Sequence, residues 1–276
     1  MTVTVIFLIW LGLAFGSFVS ALTWRVHEQS KTKNNKRNLS IVTGRSQCTR
    51  CGKTLTPKDL IPVVSWLINR GKCRFCGKKV SWQYPATELG LMTVFVTSYL
   101  FWPGGLESAG DWLLFITWLL SSVGLTALLV YDARWMILPN RIIYPTALVA
   151  TSGRLAYIIG FEENKIRAAV LLILSITVAS GIFWLLFMVS NGRWIGFGDV
   201  RLGLITGAIL ASPSKSFLMI LLASVLGTLF ALPGLLTGAK TAASKLPYGP
   251  FLIVATFLVL LFGGPILDWY NNIFIP

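Results

Sequence analysis

The chain has 276 residues, of which 55% are hydrophobic and 12% charged, whereas a soluble domain carries roughly 25% charged residues. This composition, with a mean hydropathy of +0.72, excludes an ordinary soluble enzyme. Several apolar runs approach the ~20 residues that cross a bilayer as a helix, so the sequence predicts an all-α polytopic membrane protein.

The first apolar run, residues 3–22, has no Lys or Arg before it and is followed at once by Arg25. A secretory signal peptide has its positive charge in front of the apolar core. We therefore expect a retained helix with its N-terminus outside and its C-terminus in the cytoplasm. Residues 1–24 form the first of three predicted domains, and the small residues Gly12, Gly16 and Ser17 favour close helix packing.

Residues 25–85 form the second predicted domain, a basic polar loop. Much of the net charge of +14 lies here, since residues 25–79 contain fourteen Lys and Arg against only Glu28 and Asp59. A basic block is able to bind nucleic acid. Beside a membrane span, however, it favours a cytoplasmic loop that follows the positive-inside rule and attracts anionic lipid. We expect contact with membrane lipid and not with nucleic acid, and residues 28–38 are predicted to be flexible.

All four cysteines lie in this loop as two CxxC pairs, Cys48 with Cys51 and Cys73 with Cys76. A glycine follows the second cysteine of each pair and permits a tight turn. Two such turns place four thiolates in a tetrahedron, which suits Zn²⁺. Two disulfides or a redox pair are the alternatives, but a cytoplasmic loop is reducing and favours metal. Four ligands leave no open coordination position, so the predicted zinc site is structural.

Residues 86–276 form the third predicted domain, which is embedded in the membrane. Its seven apolar segments are 86–102, 112–131, 142–160, 167–189, 199–211, 216–237 and 250–268. Eight spans in total return the C-terminus to the outside. The loops predicted to lie inside are rich in Lys and Arg, and those predicted to lie outside hold five of the ten acids. Lys165, Arg167 and Lys215 also lie outside, but the bias agrees with the positive-inside rule.

Two acids lie at the ends of apolar segments, at the same predicted cytoplasmic boundary. These are Asp132 and Asp199, the second of which ends the run Gly196-Phe197-Gly198-Asp199. An acid at the edge of a lipid-spanning helix is costly and usually functional. Two carboxylates held together in a partly dry site share a proton, so the pair is able to activate a water and protonate a leaving amine. This is the chemistry of an aspartic protease.

Simpler interpretations of these acids remain open. Asp132 could pair with Arg134 or Arg141, and Asp199 with Arg201, or Asp199 could serve only as a helix N-cap. An alternative function is a transporter that uses Asp132 and Asp199 as a proton relay. Transporters, however, tend to place such acids near the bilayer midplane and to contain internal repeats, and no repeat is visible in this sequence.

Two further features are ambiguous. Glu88, near the start of the second apolar segment, either orients a substrate amine or a methyl donor, or is an interfacial acid paired with a loop lysine. The stretch from Lys245 to Pro250 either lines the cleft beside the aspartates or only stops one helix and starts the next.

The chain resembles the type IV prepilin peptidases, a family of GxGD aspartyl proteases. The resemblance covers most of the chain and is carried by the order of its motifs: Gly16-Ser17-Phe18, Trp24-Arg25-Val26, both CxxC pairs, Ile61-Pro62-Val63-Val64-Ser65-Trp66, Ser81-Trp82-Gln83-Tyr84-Pro85, Glu88-Leu89, Tyr131-Asp132, Leu138-Pro139-Asn140, Gly196-Phe197-Gly198-Asp199-Val200-Arg201-Leu202 and Leu246-Pro247-Tyr248-Gly249-Pro250-Phe251.

The resemblance implies an enzyme that removes the basic leader from prepilins or pseudopilins, after a Gly, at the cytoplasmic face of the bacterial inner membrane. It implies that Asp132 and Asp199 are the catalytic aspartates. Many members then methylate the new N-terminal amine with S-adenosylmethionine. The sequence contains no recognisable site for that cofactor, so the methyltransferase activity is expected from the resemblance alone.

Overall fold

Regular structure in this protein is helical throughout the residues that the computed structural model describes, which are 2–31, 40, 44–238 and 246–274. A 3-10 helix (Pro57–Leu60) and two isolated β-bridges are the exceptions within these ranges. The α-helices are α1 (Thr2–Lys31), α2 (Val64–Ile68), α3 (Gln83–Leu100), α4 (Ala109–Trp135), α5 (Asn140–Phe161), α6 (Lys165–Ser190), α7 (Phe197–Leu210), α8 (Pro213–Leu236) and α9 (Gly249–Phe274). The predicted all-α fold is confirmed.

Each of the eight predicted apolar segments coincides with one helix. Six of these, α1, α4, α5, α6, α8 and α9, are long and apolar enough to cross a membrane. The other two are shorter: α3 has 18 residues and α7 has 14, or about 27 and 21 Å at 1.5 Å per residue. A hydrocarbon core is ~30 Å thick. The chain is a membrane protein, and the predicted count of eight full spans is approximate.

The chain divides into two compact units, Met1–Leu100 and Phe101–Pro276. In the first unit α1 packs along α3 at two glycines. A Cβ on Gly12 would lie 2.5 Å from Cα of Met92, and one on Gly16 would lie 2.5 Å from Cα of Glu88. Small residues therefore allow the two backbones to touch. The predicted three-part domain division remains a prediction.

Helix α1 continues to Lys31, beyond the predicted end at residue 22. Glu28–Lys31 were predicted to be flexible, but they form the last turn of α1, because the stretch contains good helix formers and neither Gly nor Pro. The rest of that predicted flexible stretch lies outside the described residues. Near this end, the buried Arg25 donates to the carbonyls of Ser40 at 3.2 Å and Gly44 at 2.9 Å.

The second unit contains α4 to α9, and α7 lies against α6 at a face of small residues. A Cβ on Gly203 would lie 2.5 Å from the carbonyl oxygen of Ala179, and one on Gly207 would lie 2.7 Å from Cα of Ile176. The hydroxyl of Ser180 donates to the backbone of α7 at 2.8 Å. These contacts fix α7, which carries Asp199 in its first turn.

Candidate active site

Asp132 lies in the last turn of α4, and its side chain is buried, with only 6% of the residue exposed. The helix ends at Met136, which adopts a left-handed conformation (φ 53°) and donates its N–H to the carbonyl of Asp132. The Asp132 carboxylate accepts a hydrogen bond from the backbone N–H of Gly249. The carboxylate is therefore held by the start of α9 and not by a cation.

Asp199 is the third residue of α7 and is half-buried. The helix begins at Phe197, two residues before the predicted start, and Gly196 is its N-cap. Asp199 accepts a hydrogen bond from the N–H of Gly196, so its carboxylate lies at the positive end of the helix. Asp199 is thus not the N-cap itself, as one of the simpler interpretations held.

The two carboxylates are close enough for their charges to repel each other. Two of the three arginines considered as partners are engaged elsewhere: Arg201 donates to the side chain of Asn140 and lies over the ring of Phe197, while Arg134 lies over the ring of Trp135. Asp132 and Asp199 form no ion pair with a described residue. The structure thus brings together the two acids that the sequence singled out.

Two residues lie beside the acids at the start of α9: Gly249, the first residue of the helix, and Tyr248, which precedes it. A Cβ on Gly249 would lie 2.6 Å from Oδ2 of Asp132, so any larger residue there would have to displace this carboxylate. The Tyr248 ring packs edge-on against Phe183, and its hydroxyl lies 3.2 Å from Oγ of Ser224. Burial raises the pKa of Tyr248, and the nearby Asp199 adds to this effect, so the phenol stays neutral. Lys245, the first residue of the predicted loop, lies outside the described residues.

A second loop, between α4 and α5, closes on the start of α7. A Cβ on Gly198 would lie 3.0 Å from Cδ1 of Leu138. The second glycine of the GxGD run therefore permits the loop after Asp132 to approach the helix that carries Asp199. This contact and the Arg201–Asn140 hydrogen bond both tie α7 to the α4–α5 connection.

The four cysteines converge in the first unit, and their Sγ atoms lie within 4.8 Å of one another. Both CxxC turns have the same two backbone hydrogen bonds. In the first turn, the N–H of Cys48 donates to the carbonyl of Lys53 and the N–H of Gly52 to the carbonyl of Cys48, both at 2.9 Å. In the second turn, the N–H of Cys73 donates to the carbonyl of Lys78 and the N–H of Gly77 to the carbonyl of Cys73, both at 2.8 Å. The glycines have positive φ of 71° and 65°. All four are free thiols, not disulfides. A tetrahedral zinc with Zn–S bonds of 2.3 Å needs sulfurs about 3.8 Å apart, so the cluster fits a metal ion of this kind.

Glu88 is buried on α3 and engaged within the first unit. Its Oε2 accepts from the N–H of Val63 at 2.7 Å, and its carboxylate also bonds the Ser17 side chain. Val63 has φ 59° and ψ −50°, and Val64 N–H lies 2.5 Å from the carbonyl of Pro62, which is a strained γ-turn. Glu88 therefore holds this turn and is not paired with a described lysine.

Sequence reasoning identified the two aspartates and the four cysteines, but it did not identify Gly249, Tyr248 or the Val63 turn as individual contributors. Gly249 and Tyr248 were indicated only as part of the stretch between Lys245 and Pro250. Nothing in the sequence indicated that Val63, a β-branched residue, would adopt a positive φ.

Two family models match the chain. The model "Bacterial Peptidase A24 N-terminal domain" matches residues 10–102, and the model "Type IV leader peptidase family" matches residues 114–232. The second match contains both aspartates, and the first contains all four cysteines.

Curated relatives match nearly the whole chain. A "Prepilin leader peptidase/N-methyltransferase" of Bacillus subtilis is 30% identical over 261 residues, 94% of each chain. A protein of the same description from Pseudomonas aeruginosa is 27% identical and covers 94% of this chain and 91% of its own. A third, from Dichelobacter nodosus, is 30% identical, and the match covers 84% of this chain and 76% of the relative. No solved structure matches significantly.

Proposed function

The chain belongs to the type IV leader peptidase family, and from this premise we propose that it cleaves the leader from type IV prepilins or pseudopilins, with Asp132 and Asp199 as the catalytic pair. The scissile bond follows a Gly, as the family resemblance implies. The observation that carries the assignment is the meeting of two carboxylates, each held by a backbone N–H, at Gly249 and Gly196.

The cleavage step needs one proton shared between the carboxylates. The ionised carboxylate takes a proton from a water, whose oxygen forms a bond to the scissile carbonyl carbon. The protonated carboxylic acid donates to the carbonyl oxygen, giving a neutral tetrahedral intermediate. The carboxyl group that took the proton from water then gives it to the departing amine as the C–N bond breaks, and the other carboxylate takes one hydroxyl proton from the intermediate, which becomes the carboxylic acid product. The glycine amides hold both side chains in place, and the partly buried site limits competing water.

The relatives' names also contain N-methyltransferase, and we extend that activity to this chain. S-adenosylmethionine supplies the methyl group in such a reaction. No recognisable site for this cofactor is visible among the described residues.

We assign the four-cysteine cluster to zinc. Cys48, Cys51, Cys73 and Cys76 supply four sulfur ligands, and a fully thiolate-coordinated zinc holds structure and takes no part in chemistry. The metal replaces the hydrophobic core that a module of this size lacks.

The charge bias of the loops supports an orientation in the bacterial inner membrane with the aspartates at the cytoplasmic face and both termini outside. The basic loop then faces the anionic lipid of the inner leaflet. The alternative function, a transporter with a proton relay, is not supported, since the relatives described above are peptidases.

The test compares Asp132→Asn and Asp199→Asn in the purified full chain, with a peptide that contains a basic leader, the Gly junction and an apolar helix start. We expect each variant to lose at least ~1,000-fold in cleavage rate, since removing one member of a catalytic unit costs about as much as removing all. Asp268→Asn, at an exposed acid in α9, should retain full activity. Wild-type cleavage by either active-site variant would refute the two-carboxylate mechanism.

A further inference from the structure

Helix α2 (Val64–Ile68), between the two cysteine turns, leaves one side bare. Val64, Leu67 and Ile68 are spaced i, i+3 and i+4 and so share that side, and Leu67 and Ile68 are 60% and 75% exposed. Leu60 and Ile61, just before the helix, are exposed as well. Single apolar side chains on a surface are ordinary, but five of them in one short segment indicate a contact site. We call these five residues the apolar surface of α2, and the proposed peptidase function makes no use of it.

The opposite side of α2 is held by the cysteine module, residues 44–82. A Cβ on Gly71 would lie 2.9 Å from the ring of Trp66, and Nε1 of Trp66 donates to the carbonyl of Val80 at 3.2 Å. At the end of the helix, the side chain of Asn69 donates to the carbonyl of Ser65 at 2.8 Å. Because this inner side is fixed on the module, the outer apolar residues cannot turn inward.

The height of α2 is set by the membrane helices of the same unit. Val63, directly before α2, donates its N–H to Glu88 of α3 at 2.7 Å, and the Glu88 carboxylate also bonds the side chain of Ser17 on α1. Ser17 lies five residues before the end of the apolar run 3–22, or about 7.5 Å inside it at 1.5 Å per residue. A backbone N–H at this depth needs a protein partner, which Glu88 provides. Helix α2 therefore starts close to the edge of the hydrocarbon layer.

The module that carries α2 is strongly basic. Residues 44–82 contain nine Lys and Arg against one acid, Asp59, which already lies 3.7 Å from Arg74. Lys58 and Arg70 flank the apolar surface of α2 in the sequence, and both are exposed. Cations beside an apolar helix face are typical of a helix that lies in the headgroup layer. The basic leader that the family resemblance implies for the substrate, and a second copy of this module, would both be repelled.

We propose that the apolar surface of α2 inserts between the headgroups and acyl chains of the membrane, and that Lys58 and Arg70 bind the phosphates of anionic lipid there. Helix α2 is thus an interfacial anchor that holds the cysteine module against the bilayer beside α1 and α3. Trp82, which is 73% exposed and directly precedes α3, lies in the same layer, where Trp is enriched. Only the choice of the cytoplasmic leaflet rests on the proposed orientation.

The test is photo-crosslinking of the full chain in nanodiscs that contain equal parts of phosphatidylglycerol and phosphatidylcholine. Ile68→p-benzoylphenylalanine places the probe on the apolar surface of α2, and Lys53→p-benzoylphenylalanine is the matched control. Lys53 is exposed and lies over the ring of Phe75, at the tip of the second cysteine turn, whereas α2 packs on Gly71 and Val80 at its base. We expect the probe at position 68 to give at least ~10-fold more lipid adduct, measured by mass spectrometry, than the probe at position 53.

Among the adducts at position 68, phosphatidylglycerol should exceed phosphatidylcholine by at least ~3-fold, and K58Q/R70Q should remove this excess. Equal lipid adducts at positions 68 and 53 overturn the proposal, as does an excess of phosphatidylglycerol that survives K58Q/R70Q. Adducts that join position 68 to an added leader-bearing peptide, or to a second copy of the chain, in place of lipid also overturn it. The melting temperature shows whether each variant folds, and the probe replaces Leu67 if the chain with a probe at position 68 does not.

Discussion

At the scale of the residue, the site depends on the absence of a Cβ atom at Gly249. Gly249 donates its N–H to the carboxylate of Asp132, and the space where its Cβ would lie is only 2.6 Å from Oδ2 of that aspartate. A methyl group in that space pushes the carboxylate away from the position that it shares with Asp199. The glycine therefore both supplies a donor and permits the approach that the donor needs.

Gly249→Ala should lower the cleavage rate by about 100-fold, because a displacement of about 1 Å in a catalytic group has costs of this size. The rate of peptide cleavage measures the effect, and the melting temperature shows whether the fold persists. Gly264→Ala, in the same helix where a Cβ would meet nothing within 4 Å, is the control. Equal cleavage by the two variants would separate Gly249 from the catalytic geometry.

The residues that sequence alone identified have signals that do not depend on the fold. An acid at the end of an apolar run is unusual wherever it occurs, and paired CxxC motifs fix two thiolates locally. Gly249 has no such signal. A glycine is needed there because of the side chain of Asp132, which is far away in the sequence. The same holds for Val63, whose positive φ is held by Glu88 on α3.

At the scale of the element, α7 must hold Asp199 at a fixed height although it is too short to anchor itself across the membrane. Its position is set by backbone contact with α6 at Gly203 and Gly207, and by the hydrogen bond from Ser180. Hydropathy predicted this helix and its approximate ends, at residues 199–211 against the observed Phe197–Leu210. It could not predict the partner helix, because small residues do not encode which backbone they touch.

Gly203→Ala should separate α6 from α7, since the new methyl would lie 2.5 Å from the carbonyl oxygen of Ala179. Overpacking of this kind costs about 1–3 kcal/mol, and it moves Asp199 with its helix. We expect a lower melting temperature together with reduced cleavage. Gly181→Ala in α6, where a Cβ would lie 3.8 Å from the Thr177 side chain, should change neither, and an equal loss in both variants would contradict this account.

We expect the element formed by the two cysteine turns to depend on a bound metal and not on a hydrophobic core. Cys48→Ser should release zinc, measured by elemental analysis of the purified protein, because a three-sulfur site binds the ion more weakly. The segment 44–81 should then become sensitive to limited proteolysis, since metal binding and folding are coupled in such modules. Ser46→Ala, beside the first turn, should keep one zinc per chain. A protein that holds no zinc in its wild-type form would contradict the metal assignment.

At the scale of the whole molecule, charge and not packing sets the orientation in the membrane. Residues 25–79 and the predicted inside loops hold most of the Lys and Arg, and the insertion machinery retains such segments in the cytoplasm. The ends of helices, in contrast, are set locally by capping residues. At the start of α4, for example, the side chain of Ser108 accepts a hydrogen bond from the N–H of Asp111. Orientation is a property of the whole chain, because it depends on the positive charge summed over all the loops.

The orientation is tested with reporter fusions to the full chain. Alkaline phosphatase is active only outside the cytoplasm, and green fluorescent protein fluoresces reliably only inside it. Fusion after Pro276 should give an active phosphatase and no fluorescence, because an even number of crossings returns the C-terminus to the side of the N-terminus. Insertion after Gly192, in the turn between α6 and α7, should give the opposite result, since we propose that this turn, which precedes Asp199, lies on the cytoplasmic side. An active phosphatase after Gly192 would place the α6–α7 turn outside, and the assignment of the aspartates to the cytoplasmic face would fail with it.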